Sequence, residues 1–391
     1  MASKLPLTRA MLACAFVIVA ACTQSSGQAF DPANPFARAS SSRDLIAMLI
    51  AGKPELNPND RFRNLTSEAW TAAWEDRTPE QEKLTSDAFL RSLSGSGGKG
   101  VRIKSPYPYK SAEEHYNAWL AAAQGGTKHT RASLPDWSGD WDGRDEGVLG
   151  RNALVRDVWD AVAADHRPAF QQLLTAELEG RHWWPADSCF PDGVGRFYSL
   201  GGTYHFMMDQ TIVLIDKDRP NSETRYVYVD GRGFLPPDFS YPMWYGQSQG
   251  FWSGDELIVW TRDIKQWVIT HALPEHSGEL QTIERINKIG DEIVLDLTLY
   301  DPKAFAFPWH DVVVFRRLAD WKQAAPTFNE CVFSNNVYHD ENGALQEYTA
   351  GDPHFRDVTD QRPWATVFAR AERAASPGAS RSEASGGPTK R

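Results

Sequence analysis

Hydrophobic and polar positions divide the chain into three textures. An unbroken apolar run, Ala10 to Ala21, follows the basic residues Lys4 and Arg9. It is too short to cross a bilayer as a mature helix, and its basic flank and small final residues give it the form of an export signal. Between about 30 and 135 closely spaced apolar residues predict helices joined by loops. Ser42 to Ile50 is one, Pro79 to Leu93 a second, and a third opens at Ser111-x-x-Glu114, a capping box in which two side chains satisfy the first free amides of a helix. Ser94-Gly95-Ser96-Gly97-Gly98 ends the second helix as a hinge. A further helical stretch, Asn152 to Glu179, breaks near Pro168, since proline fits only the first turn of a helix.

From Arg196 to Leu318 the period changes. The segments 211–215, 224–229, 256–261, 267–270, 280–286, 292–299 and 311–316 are rich in β-branched residues and often alternate, which predicts about seven strands. Asp230-Gly231, Ser253-Gly254-Asp255 and Ile289-Gly290-Asp291 are tight turns suited to an antiparallel meander. Such a meander makes a sandwich or a barrel. Closure removes edge strands and favours the barrel, whose interior at this size has room for one small apolar ligand. The expected fold is therefore mainly β, an antiparallel barrel with a helical N-terminal region. Residues 1–22 form a leader, 23–135 a helical and loop-rich region, 136–345 the barrel with a helical insertion near 152–180, and 346–391 an extension. Past Glu372 that extension turns to alanine, serine, glycine and charge, the composition of a disordered tail.

Composition supports a large core, with 41% hydrophobic residues and 15 tryptophans. The formal charge of −10 becomes −12, 39 basic against 51 acidic residues, once Lys4 and Arg9 leave with the leader. With no basic stripe to offset it, nucleic acid is not an expected partner. Val19-Ala20-Ala21-Cys22 has the form of a bacterial lipobox, which predicts cleavage before Cys22 and lipidation of its thiol. Small residues at A-x-A-like spacing from Ala13 to Ala21 leave plain cleavage and release as the alternative. Thr23-Gln24, without an aspartate, favours sorting to the outer membrane, so the expected place is the periplasm, anchored through lipid. No later apolar run approaches 18 residues, so membrane contact would come through that lipid. Of the four cysteines, Cys14 leaves with the leader, and Cys189 and Cys331 remain in an oxidising space. A disulfide between them would close a loop of more than 140 residues, worth on the order of 4 kcal/mol by chain entropy. The alternative is two buried free thiols.

Motifs with diagnostic chemistry are scarce. Gly246-Gln247-Ser248-Gln249-Gly250 matches G-x-S-x-G, but Phe251 to Asp255 form a turn feeding a strand where a nucleophile elbow needs a helix. It reads instead as a glycine-flanked bend lining one end of the barrel. His271 and His276 straddle Pro274 at a spacing foreign to H-E-x-x-H, and Asp340-Glu341-Asn342-Gly343 lacks the alternation of a calcium loop. No metal or other cofactor is expected. What remains is a set of polar groups in aromatic surroundings. His205, Asp230, His276 and Asp301 are the acid/base candidates, and Trp244, Ser248, Trp252, Glu284, Arg285 and Trp309 the ligand-binding ones. Glu284 and Arg285, adjacent in a strand, point to opposite faces. The competing reading of the whole set is buried hydrogen bonding that ties the barrel together.

Taken together, Trp137-Ser138-Gly139-x-Trp141, Cys189-x-Pro191-x-Gly193, Val229-Asp230-Gly231-Arg232, Trp244-x-Gly246-x-Ser248-x-Gly250-x-Trp252-x-Gly254-Asp255-x-Leu257-x-Val259, His276-Ser277, Glu284-Arg285 and Asp301-Pro302-Lys303-Ala304-Phe305-x-x-Pro308-Trp309 resemble one large family of secreted bacterial proteins. Its members carry W-x-G-D-x-L-x-V and D-P-K-A-x-x-x-P-W. The similarity extends through Glu330-Cys331 and Asn335-Asn336, and departs at Glu256, commonly threonine in that family, and at Gly201 to His205. The resemblance implies a secreted, lipocalin-like body and adds weight to a Cys189–Cys331 bridge. It supplies no reaction. Three functional expectations follow. The first is a carrier whose barrel takes an apolar or aromatic small molecule. The second is a lyase, hydratase or isomerase using His205 or His276 with Asp230 or Asp301, and the third is a structural envelope lipoprotein.

Overall fold

The computed structural model describes residues 30–31, 33–36, 39–51, 53, 103–145, 155–178, 190–198, 202–218, 223–269, 274–319, 337–341, 345–348 and 352–354. The leader with Cys22, the 79–93 helix, the Gly/Ser hinge, Cys189, Cys331 and the tail lie outside them. Five α-helices are described, α1 (Ser42–Ile50), α2 (Ala112–Ala122), α3 (Val155–Ala161), α4 (Arg167–Leu178) and α5 (Gly193–Phe197), with one 3-10 turn at Pro237–Phe239. None is long and apolar enough to cross a membrane. The strands are β1 (Trp141–Asp145), β2 (Thr203–Met208), β3 (Ile212–Lys217), β4 (Glu223–Tyr228), β5 (Gln247–Ser253), β6 (Glu256–Arg262), β7 (Trp267–Val268), β8 (Glu275–His276), β9 (Gln281–Ile289), β10 (Glu292–Tyr300), β11 (Trp309–Arg317), β12 (Val337–His339) and β13 (Leu345–Glu347).

Nine strands close a barrel in the order β1-β2-β3-β4-β5-β6-β9-β10-β11 and back to β1. An odd ring cannot alternate direction all the way round. One neighbouring pair must run parallel, and it is β4 with β5, through Val227 opposite Ser248 and Tyr228 opposite Gln249. The chain between them, Val229 to Gly246, therefore returns along the barrel. The other eight pairs are antiparallel. Hairpins β7–β8 and β12–β13 stand outside the ring. The region expected to hold about seven strands thus holds ten, β2 to β11. Gly246 to Gly250 is not a bend: all but its first residue belongs to β5, where Gly250 lets the wall pack so closely that a Cβ there would lie 2.6 Å from the Ile258 carbonyl oxygen.

Alternation decides what enters the lumen. On β3, Val213, Ile215 and Lys217 are buried, and on β4 Glu223, Arg225 and Val227. The insertion between β1 and β2 carries α3, α4 and α5, and Pro168 sits in the first turn of α4, where its missing amide is harmless. Helix α5 delivers Phe197 and Tyr198 into the core, and the Tyr204 hydroxyl donates to the Phe197 carbonyl at 2.5 Å. Trp137, Trp252, Tyr204, Phe206 and Phe315 form an edge-to-face aromatic chain across the interior.

Strands β6, β9, β10 and β11 are buried on both faces, which explains their nearly continuous hydrophobic runs. A second core covers their outer side: Leu45 and Leu49 of α1 with Tyr116 and Trp119 of α2, against Ile258, Trp260, Ile283, Val294 and Val312. Ser111 caps α2 as expected, accepting from the Glu114 amide at 3.1 Å, while Glu114 accepts from the Lys110 amide at 2.9 Å.

Candidate functional site

The lumen holds an ion pair. Arg225 of β4 reaches Glu284 of β9 through Nη2 to Oε1 at 2.7 Å and Nη1 to Oε2 at 3.0 Å, both side chains fully buried. The Tyr198 hydroxyl accepts from Arg225 at 2.6 Å and donates to Glu284 at 2.9 Å. Ser248 and Thr261, 2.8 Å apart, and Thr282 complete the shell. Burial opposes the Arg225 charge, but Glu284 and Tyr198 outweigh it and hold the guanidinium ionised beyond its ordinary range. Behind α5 lies a second buried set. Lys217 donates to Asp192 at 2.9 Å, the Asp192 amide donates to Glu223 at 2.8 Å, and Arg196 stands 3.3 Å from Asp192. Burial pushes the Lys217 ammonium down and the Glu223 carboxyl up, the latter helped by Asp192.

A third network sits on the outer wall beneath the N-terminal helices. His310 Nε2 lies 2.8 Å from Asp296, which also accepts from the Tyr107 hydroxyl, and Lys53 Nζ lies 2.7 Å from His310 Nδ1. An ammonium only donates, so Nδ1 accepts and the ring proton sits on Nε2, facing Asp296. Burial, then Lys53, depresses the His310 pKa, keeping the ring neutral. Alongside, Arg285 makes a two-point pair with Glu256 at 3.0 Å through each contact.

The predicted site residues are dispersed over this frame. His205 faces outward on β2, 3.0 Å from Asp140 and 3.5 Å from Asp216. Asp230 is exposed after β4, bound by Arg232. Asp301 follows β10, which runs opposite to β4, so the two carboxylates leave the barrel at opposite ends. His276 and Asp301 are brought together through Ser277. Asp301 accepts from the Ser277 amide at 2.6 Å, the Ser277 hydroxyl at 2.7 Å, the Lys303 amide at 3.2 Å and the Ala304 amide at 3.0 Å. Burial lowers the His276 pKa to about 4. Ser248 and Glu284 belong to the lumen and Arg285 to the outer wall, as opposite faces require. Trp252 packs on Trp137 in the core, and Trp309 stacks on Phe305 at 3.9 Å while donating to the Ala161 carbonyl. Trp244 joins Trp267 and Phe190 outside the ring, with Lys265 Nζ 4.1 Å from its ring centre.

Side chains occupy the lumen. A cleft of about 1040 Å³ lies instead at the end of the barrel where β6 and β10 finish and β9 and β11 begin. Five separated segments build it: 109–112 at the start of α2, 237–240 of the returning connection, 262–263, 278–281 and 300–308. Tyr109, Tyr300, Phe305, Phe307 and three prolines give it an apolar lining, and Lys110, Arg262, Gln281 and Asp301 polar points. Asp263 on its rim has φ 57°, the left-handed region that a non-glycine residue rarely occupies. Behind Tyr300, whose hydroxyl lies 3.0 Å from His115 Nδ1, burial lowers the His115 pKa to about 3. Of the ten predicted acid/base and ligand-binding residues only Asp301 lines the cleft.

The class these features define is a closed, nine-stranded β-barrel with a side-chain-filled lumen and an aromatic cleft at one end. No family model, no curated protein and no solved structure matches the chain.

Proposed function

We propose that this is an exported, lipid-anchored, lipocalin-like barrel protein of the bacterial envelope that binds an apolar or aromatic small molecule, and that the molecule sits in the end cleft. The observation that carries the reading is the cleft itself: its volume of about 1040 Å³ and its tyrosine, phenylalanine and proline lining suit a small organic ligand, and the polar and charged side chains interspersed among them can orient it. The lipobox at Cys22 and the acidic charge support an envelope location away from nucleic acid. The helical N-terminal region serves in this reading as the outer wall of the site, through α2.

A second reading, acid/base turnover of the same molecule, is favoured by one contact: Asp301 lines the cleft one hydrogen bond from Ser277, the neighbour of His276. The experiment is native mass spectrometry with small-molecule extraction on the mature protein from its own envelope, paired with Gly278→Trp. Gly278 lines the cleft and a Cβ there meets nothing within 4 Å, so a bulky side chain starts in open space beside the cleft and is expected to obstruct it. An aromatic compound that co-purifies with the wild type and is lost from Gly278→Trp is the expected result. A ligand retained by that variant sinks the reading, and conversion of the extracted compound on incubation selects the enzyme. Processing and membrane fractionation unchanged by Cys22→Ala would remove the anchor.

A further inference from the structure

Resting on the reading of the end cleft as a small-molecule site, we infer that its ligand carries an anionic head, a carboxylate or an acid of similar geometry, on the aromatic body. The side-chain acceptors of the lining are engaged by the protein. Asp301 takes the four donors described above, Glu279 holds Lys303 at 2.6 Å, and Asp263 accepts from Gln247 at 2.7 Å. The donors are not engaged in the same way. Gln281 gives its oxygen to the Trp260 indole N–H at 2.9 Å. An indole only donates, so this bond fixes which end of the amide is which and leaves the NH₂ without a partner among the described residues. The Arg262 guanidinium lies 4.2 Å from the Phe234 ring centre and sets Nε 3.3 Å from Asp263 Oδ2, while its two terminal nitrogens bond no described residue. Lys110, exposed before α2, bonds no described residue through Nζ either. An ammonium, the open side of a guanidinium and an amide NH₂ on one aromatic cleft are a set that a neutral ligand leaves unsatisfied and a carboxylate satisfies, an Arg–carboxylate pair in two-point geometry.

The test uses 2-naphthoate and 2-naphthamide, two probes of one shape and opposite head chemistry, titrated calorimetrically into the mature full chain. The expected result is naphthoate binding at least about tenfold tighter than naphthamide, a preference reduced at high salt and lost in Arg262→Gln and Lys110→Gln. Gly278→Trp should abolish both. Equal affinities, both abolished by Gly278→Trp, overturn the anionic head and leave the cleft as a site. Binding of naphthoate that Gly278→Trp does not alter, or no binding of either probe, overturns the cleft reading and this inference with it.

Discussion

Arg225 and Arg262 stand two strands apart around the barrel, on β4 and β6, and their surroundings differ in one respect. Arg225 is fully buried and meets a carboxylate, a tyrosine and two hydroxyls, with the neighbouring hydroxyls bonded to one another. Arg262 is partly exposed, has an aromatic face beneath it and one carboxylate to the side, and its terminal nitrogens bond no described residue. A closed network inside a solid lumen specifies a fold. Its contacts are made within the protein, although Arg225 Nε is buried there without a hydrogen-bond partner among the described residues. An open set on an aromatic wall holds donors that no described residue completes and that a bound molecule can. The same chemistry therefore divides between architecture and recognition according to whether its hydrogen bonds close within the protein.

Removing one partner of the lumen pair is the most severe test of that contrast. Glu284→Gln leaves the Arg225 charge buried without compensation and should cost roughly 3–5 kcal/mol, a large share of the roughly 5–15 kcal/mol that stabilises an ordinary domain. Replacing both, Arg225→Met with Glu284→Leu, should recover most of the loss in urea denaturation. A double variant as damaged as the single one would mean that the pair does more than fill the lumen.

Acid tests the histidines that back the cleft. His276 is held to about 4 by burial, while an unfolded chain binds its proton near 6.5. Between those values the unfolded state carries the proton that the folded state refuses, so stability falls as pH drops from 6.5 towards 4, by up to about 3 kcal/mol. His115, held to about 3, extends the decline further down. Thermal denaturation of wild type and His276→Phe across this window compares slopes rather than absolute stability. An unchanged slope would show that His276 takes a proton in the folded protein as readily as in the unfolded one.

Two glycines separate wall from cleft with a smaller effect. Gly246 has φ 59°, and a Cβ there would lie 2.5 Å from the Arg262 carbonyl oxygen. Gly246→Ala should cost about 1–3 kcal/mol, combining left-handed strain with overpacking at the strand that ends at Arg262. Gly278→Trp, pointing into open space, should leave the melting temperature within a degree or two. A large loss there would place protein where the cleft is drawn.

How much of this was legible follows from which signals are local. Alternation in 212–217 and 292–300 and turn glycines such as Gly290 announce strands and hairpins, and seven of the ten strands between 203 and 317 follow from them. Strand β5, Gln-Ser-Gln-Gly-Phe-Trp-Ser, was obscured because two of its three inward positions are serine and glycine, which make room for Arg225 and for close packing, and only Trp252 supplies apolar bulk. Arg225 itself gave no signal: in Thr-Arg-Tyr-Val-Tyr-Val both faces look apolar, and only the partner on β9, 59 positions away, shows which face is the lumen. The filled lumen was hidden for the same reason, since the residues that occupy it arrive from α5 in the β1–β2 insertion. The cleft draws on five segments spread over some 200 positions. Motif spacing cannot assemble that, so Asp301 was named and Arg262, Gln281 and Lys110 were not.

The smallest expected effect completes the comparison. Arg262→Gln and Lys110→Gln remove charges that contribute little to folding, because one is paired at the surface with Asp263 and the ammonium of the other bonds no described residue; each should change stability by no more than about 0.5 kcal/mol. Denaturation midpoints beside the wild type and Glu284→Gln give the ratio directly. If the two cleft variants prove nearly neutral while Glu284→Gln is crippling, the open donors are not maintained by the fold, and the reason for their presence lies in what they meet. If instead Arg262→Gln costs several kcal/mol, its guanidinium is holding Phe234 and the returning 229–246 connection in place, and the cleft is one more closed network.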